Sequence, residues 1–329
     1  MLGQAGLATT WIVVPLLLGE CAIRVLGLAP QIVQVQKGRY RLSTNPEIGY
    51  EPVPGMQYEG RSLHFYDYRG KSNSLGFRDY EHERTKKPGA FRIAVIGDSI
   101  AAGHTVHNTE ETFPVLVESK LRASNAGVEV LNFGVSGYNT QQEVETLKER
   151  GLAFSPDLVL VSYNLNDRVR TDGGILSTLL AEARGSPGFL AEDSWLANSA
   201  LFRFVWFRVL KKHERPGTYD ALGEDTVAAS MAELAQLAEA HDFSVAIAVF
   251  PDFRDLETYR FQDQHEFIAD IGKRHGFEMI DLLEGFSQCG EGLSDDHYHP
   301  NTRGHACAAD LISRALTQLV MQVASPSSS

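Results

Sequence analysis

The decapeptide AVIGDSIAAG, residues 94–103, sets an Asp and a Ser on a glycine-flanked turn directly behind an apolar run. Gly, Asp and Ser are ordinary turn formers, but the end of a strand is also where a nucleophile could be held. A serine hydroxyl near neutral pH needs an adjacent base to take its proton. That base is usually a histidine, with a carboxylate orienting the imidazole and stabilising its charged form. The segment SDDHYHPNTRGH, residues 294–305, offers both. Asp296 and His299 are three residues apart, a spacing that sets both side chains on one side of a turn. The same segment leaves two other readings open: a solvated polar loop, or a metal site drawing on Asp295, Asp296, His297, His299 or His305.

Acyl chemistry further needs donors aimed at the oxygen that gains charge. The backbone N–H of Ser99 can serve at a strand-to-helix turn. Gly137 lets backbone approach a substrate with no side chain in the way, and Asn166 supplies a neutral amide. Taken singly, each is equally a structural loop residue. Asp98 is expected to cap or brace the turn, not to act as the orienting carboxylate.

The elements around these residues follow a regular rhythm. Short apolar runs at 91–97, 128–134, 156–164, 244–251 and 277–283 read as five strands. Helical stretches fall between and after them: one from near Pro114, one opening at the capping-box pattern Thr140-Gln-Gln-Glu143, and others at about 228–241, 257–275 and 303–322. Continuous apolar strands alternating with helices predict a doubly wound, mainly parallel five-stranded sheet covered on both faces. Ligands in such folds bind beyond the carboxyl ends of the strands. The first three runs end in GDS, NFGVSG and YNLND, so their polar residues should converge. Residues 170–220 interrupt the rhythm and hold an aromatic helix candidate at 194–212, expected to be an insertion or cap.

Ser99, Gly137, Asn166 and His299 thus fall in order at strand ends. The motifs GDSI, NFGVSG, NLND and DDHYHP resemble four sequence blocks of the SGNH (GDSL-type) hydrolase family, over about residues 91–320. The resemblance implies a flavodoxin-like three-layer α/β/α fold. It also implies that Ser99 is the nucleophile, His299 the general base and acid, and Asp296 the orienting carboxylate. The Ser99 N–H, Gly137 and Asn166 would form the oxyanion hole, with no cofactor and no metal. Two positions depart from the family pattern: Ile100 replaces the usual Leu, and Asn164 stands where a Gly is common.

Upstream, LATTWIVVPLLLGECAIRVLGL (7–28) approaches the roughly 20 apolar residues that a membrane span requires, if Glu20 and Arg24 pair or sit at headgroup level. A cleaved signal peptide is disfavoured by the lack of a basic n-region and a small-residue cleavage site. An amphipathic helix packed on the domain is the alternative. Expected boundaries are a membrane-anchor helix at 1–30, a β-rich lead-in at 31–88 and the hydrolase domain at 89–325. Within the lead-in, SNSLGFRD (72–79) reads as a turn between strands. The anchor and the NPEIGYEPVPG segment are similar to those of bacterial membrane-tethered family members, which implies a domain facing the cell envelope. Arg24, Lys37, Arg39 and Arg41 follow the span and would instead keep the domain cytoplasmic, so the side of the membrane stays open.

The formal net charge of −12 over 329 residues argues against a general nucleic-acid binder. Cys21, Cys289 and Cys307 show no CxxC pair or zinc spacing and read as buried or incidental thiols, not a disulfide framework. The expected activity is serine ester hydrolysis, as an esterase, lipase or carbohydrate deacylase, on an acylated carbohydrate or lipid. An O-acyltransferase would use the same residues. A non-catalytic carbohydrate- or lipid-binding protein is the reading from another class.

Overall fold

A computed structural model describes residues 2–29, 38–61, 67–168, 175–184, 195–205, 209 and 222–324. The chain opens with helix α1 (Leu2–Val25), followed by two antiparallel hairpins, β1 (Tyr40–Leu42) with β2 (Tyr50–Pro52) and β3 (Gln57–Arg61) with β4 (Asp67–Lys71). The β-rich lead-in expected at 31–88 lies partly outside the described residues.

The alternating pattern then produces β5 (Phe91–Gly97), α2 (Phe113–Arg122), β6 (Val128–Asn132), α3 (Thr140–Thr146) and β7 (Leu158–Tyr163). Next come α4 (Ile175–Ala183), α5 (Trp195–Asn198), α6 (Ala200–Phe204), α7 (Leu222–His241) and β8 (Ser244–Val249). The chain closes with α8 (Gln262–His275), β9 (Glu278–Asp281), α9 (Leu283–Gln288) and α10 (Thr302–Ala324). Strands β5 to β9 form one sheet in the order β6-β5-β7-β8-β9, and every neighbouring pair is parallel. The five-stranded parallel sheet is as expected. Strands β5 and β7 are buried at every residue, which is why they read as uninterrupted apolar runs.

Two cores sandwich the sheet. One packs Ile96, Val159, Val161 and Ile247 against Val144, Val227, Met231, Ile268 and the lead-in residues Ile48, Tyr50 and Phe77. The other packs Val95, Leu160 and Ala248 against Val117, Leu121, Ile312 and Leu316. The β1–β2 hairpin and the segment at Phe77 are therefore joined to the α3–α7–α8 layer through shared apolar surface.

Several expectations need correction. Helix α3 begins at Thr140 but is capped by Asn139, whose side chain accepts the Gln142 N–H while the Gln142 side chain returns to the Asn139 N–H. The box is thus shifted by one residue. The helix candidate at 194–212 is two short helices, α5 and α6, where described; the rest of the insertion lies largely outside the described residues. Cys289 and Cys307 are not incidental thiols: they form a disulfide, with Cα atoms 6.3 Å apart.

The membrane anchor is not supported. Residues 2–25 do form a helix, yet among the described residues no helix is long and apolar enough to cross a membrane. The charged end of α1 is bound to protein. Glu20 accepts the N–H groups of Ala200 and Leu201 at 2.8 and 2.7 Å and the Ser199 hydroxyl at 2.9 Å, so it caps α6. Arg24 bonds Glu20 and the Asn198 carbonyl. Burial works against the Glu20 charge, but these hydrogen bonds hold its carboxyl down at about 2.

Candidate active site

Ser99 follows β5, the central-left strand of the sheet, on a turn braced by its neighbour. Asp98 accepts the Ile100 N–H at 2.9 Å and lies 3.1 Å from the Ser99 hydroxyl, as expected for a brace. The order β6-β5-β7 sets the loop holding Gly137 on one side of this turn and the Leu165–Arg168 turn, which contains Asn166, on the other. A backbone bond from Val135 N–H to the Gly97 carbonyl at 3.0 Å ties the Gly137 loop to the end of β5. Gly137 has φ +82°, and a Cβ there would lie 2.8 Å from the Tyr50 hydroxyl, so only glycine fits. The side chain of Asn166 lies outside the described residues.

His299 arrives from the other end of the chain. Its Nε2 lies 2.8 Å from Ser99 Oγ, and its Nδ1 lies 2.7 Å from Asp296 Oδ2. The Asp296–His299 segment is locally self-organised: Asp296 Oδ1 accepts the N–H groups of Tyr298 and His299 at 2.9 and 2.8 Å. A bridge between Ser294 and Pro300 closes the loop, and the Thr105 hydroxyl donates to the Pro300 carbonyl at 2.6 Å, tying it to the segment after Ser99. Burial alone would raise the Asp296 carboxyl, but the hydrogen bonds and charge of His299 hold it well below the ordinary carboxylate range. Ser99, His299 and Asp296 therefore stand in a hydrogen-bonded row.

His305 points elsewhere. It is fully buried, accepts the Phe113 N–H at 3.0 Å and stacks on the Phe113 ring. Burial, aided by the positive charge of Arg78, pushes its imidazole down to about 3, so it is neutral. Among the described residues no group of three His, Cys, Asp or Glu is placed to hold a metal ion.

Residues 95–307 match the model of the GDSL-like Lipase/Acylhydrolase family. The chain belongs to this family. No curated protein matches it. Among solved structures, TesA is similar at 16% identity with a TM-score of 0.47, covering 69% of this chain and 99% of TesA. The acetyl xylan esterase AlAXEase is similar at 15% identity and a TM-score of 0.45, covering 69% of this chain and all of its own. An acetylxylan esterase from Geobacillus stearothermophilus gives 18% and 0.44, covering 70% and 96%.

In this GDSL-like hydrolase the family match begins after the lead-in, yet the lead-in builds the site. Arg78, within SNSLGFRD, is buried and donates to the carbonyls of Ala102, Gly103, Val106 and His107, clamping the segment after Ser99. Asp79 accepts the Asn132 N–H at 2.8 Å, and Asn132 in turn donates to the Ala101 carbonyl. Tyr50 donates to the Ser136 carbonyl at 2.7 Å, immediately before Gly137. The sequence signal was a buried-type Arg–Asp pair beside Gly and Phe, but its partners are distant in the chain. His104 was also missed. Its ring packs at a 44° tilt against His299 with centroids 5.0 Å apart, and burial pushes it down to about 3, so a neutral ring lies against His299.

Proposed function

We propose that the protein is a serine ester hydrolase acting through an acyl-enzyme on Ser99. Membership of an acylhydrolase family supports ester hydrolysis, and one observation carries the mechanism: the unbroken row Ser99 Oγ, His299 Nε2, His299 Nδ1, Asp296 Oδ2 with contacts of 2.8 and 2.7 Å. As Ser99 Oγ attacks the ester carbon, its proton passes to His299 Nε2. The ionised Asp296 fixes the Nδ1–H tautomer and stabilises the imidazolium that forms. The ester oxygen takes up negative charge facing the Ser99 N–H, Gly137 and Asn166. Collapse expels the alkoxide, which takes the proton from His299. Water then adds to the acyl carbon, giving its proton to His299, and the acyl–serine bond breaks as Ser99 Oγ takes that proton back from His299.

The substrate side is small. Ile100, Asn164, Phe250, Pro251, Tyr298 and His299 line a cavity of about 50 Å³, room for a few water molecules at the ~10–15 Å³ of such volume that each requires. This size suits a short acyl group such as acetyl. The test is labelling by a fluorophosphonate probe together with a panel of esters of graded acyl length. Labelling should vanish in Ser99→Ala, and acetyl esters should be hydrolysed faster than octanoyl esters. Ester hydrolysis retained in Ser99→Ala would overturn the reading.

A further inference from the structure

Three carboxyl groups that the proposed reaction does not use lie beneath the Ser99 turn: Asp98, Glu143 and Asp167, at 0, 1 and 2% exposure. The oxygens of Asp98 are engaged by the Ile100 N–H and the Ser99 hydroxyl. Asp167 organises the turn after β7. Its Oδ2 accepts the Asn164 N–H at 2.7 Å, and its own N–H returns to the Asn164 carbonyl at 3.2 Å. That closed loop contains Asn166.

Glu143 reaches the same place from α3. Among the described residues no N–H or O–H donor meets either Glu143 oxygen or Asp167 Oδ1. The two carboxyl side chains instead lie within hydrogen-bonding reach of each other. Carboxylates are acceptors only, so this contact requires a proton between them. Two bare anions in a dry interior beside Asp98 would also be strongly disfavoured. Burial, reinforced by each other's charge and by Asp98, pushes both carboxyls well above their ordinary values. Asp98 is the charged group facing the pair from the β5 turn. Tyr50, from β2, is held neutral by burial and lies within reach of the Asp98 charge. On α7, which packs against both α3 and the turn, Glu233 is engaged by Lys148.

We propose that Glu143 and Asp167 are positioning residues that share one proton, a singly charged carboxyl–carboxylate lock joining α3 to the Asn164–Arg168 turn and holding Asn166 in place for the oxyanion. The lock acts through Asn166 and touches no reacting atom, and its catalytic readout rests on the Ser99 reading above. A misplacement of the order of 1 Å in such a donor costs about a hundredfold in rate.

The experiment compares wild type with Glu143→Gln and Glu143→Ala, measuring kcat, KM, fluorophosphonate labelling and thermal unfolding across pH 5 to 10. A Gln amide can donate to an ionised Asp167 without needing the shared proton. Glu143→Gln should therefore keep kcat at neutral pH and hold it further into the alkaline range than wild type. Glu143→Ala should lose about ten- to a hundredfold in kcat with KM little changed. A raised folded-state pKa contributes stability that is full at low pH and lost as pH rises, so wild type should lose melting temperature on the alkaline side more steeply than Glu143→Gln. Equal impairment of Gln and Ala variants, or a wild-type kcat and pH profile in Glu143→Ala, overturns the proposal. If wild type neither labels nor hydrolyses esters, the esterase reading falls instead. The pH dependence of unfolding then still decides whether the proton is shared, because that measurement needs no substrate.

Discussion

The Ser99 hydroxyl has one hydrogen and two acceptors, His299 Nε2 at 2.8 Å and Asp98 at 3.1 Å. In the proposed reaction the proton goes to His299, a path that depends on Asp296 keeping the imidazole in the right tautomer. Asp296→Asn should fold normally but lose about 10⁴-fold in kcat, measured against a protein whose circular dichroism is unchanged. Wild-type turnover in that variant would remove Asp296 from the row. Asn166→Ala should lose about a hundred- to a thousandfold in kcat with little change in KM, because its donor matters most when charge develops. Steady-state kinetics check both values. At this scale the sequence was highly legible: Asp-x-x-His is a self-contained turn, so its geometry follows from local spacing. His104 was not legible, because its contact with His299 spans nearly the whole domain.

Elements decide whether these residues meet. The strands could be read because burial on both faces demands unbroken apolar runs, and the helices because they alternate with them. The clamps could not be read in the same way. SNSLGFRD looks like a turn from its composition, while its work is done by Arg78 on carbonyls more than twenty residues away. A lysine carries one point charge and cannot span four carbonyls. Arg78→Lys should thus lower both the urea midpoint and kcat, with equilibrium unfolding and ester turnover as the two readouts. The cysteines were misread for a related reason: no local motif marks a pair 18 residues apart. Their bond joins the end of α9 to α10 and encloses the segment carrying Asp296 and His299. A cross-link around a loop of this size contributes about 3 kcal/mol by constraining the unfolded chain. Cys289→Ser with Cys307→Ser should lower stability by a comparable amount and reduce kcat. Unchanged unfolding after treatment of wild type with dithiothreitol would argue against that role. Helix α1 was legible as a helix, but the binding of Glu20 to α6 depends on an insertion whose fold the sequence did not reveal.

On the scale of the whole molecule, buried titratable groups set stability against pH from two directions. His104 and His305 have folded-state values lowered from 6.5 to about 3, chiefly by burial. The unfolded chain therefore binds more protons than the folded one between these limits, and stability falls as pH drops from about 6.5 toward 3. Asp296, also lowered, acts in the same sense below its ordinary value of 3.8. Glu143 and Asp167, raised, act oppositely and remove stability as pH rises. The two trends oppose each other where their windows overlap, and above about 6.5 only the alkaline loss remains. His305 allows the acid side to be isolated, since it lies inside the core, away from the Ser99–His299 contact, and offers Phe113 one acceptor. His305→Gln retains an acceptor that does not titrate. Its unfolding free energy at pH 7 should be lower than that of wild type, because a smaller, flexible side chain replaces a ring stacked on Phe113. Between pH 6.5 and 4, however, the variant should lose less stability than wild type does over the same interval. Urea unfolding at several pH values gives both slopes. Parallel slopes would mean that His305 does not titrate on unfolding in this range and that the acid sensitivity belongs to His104 and Asp296.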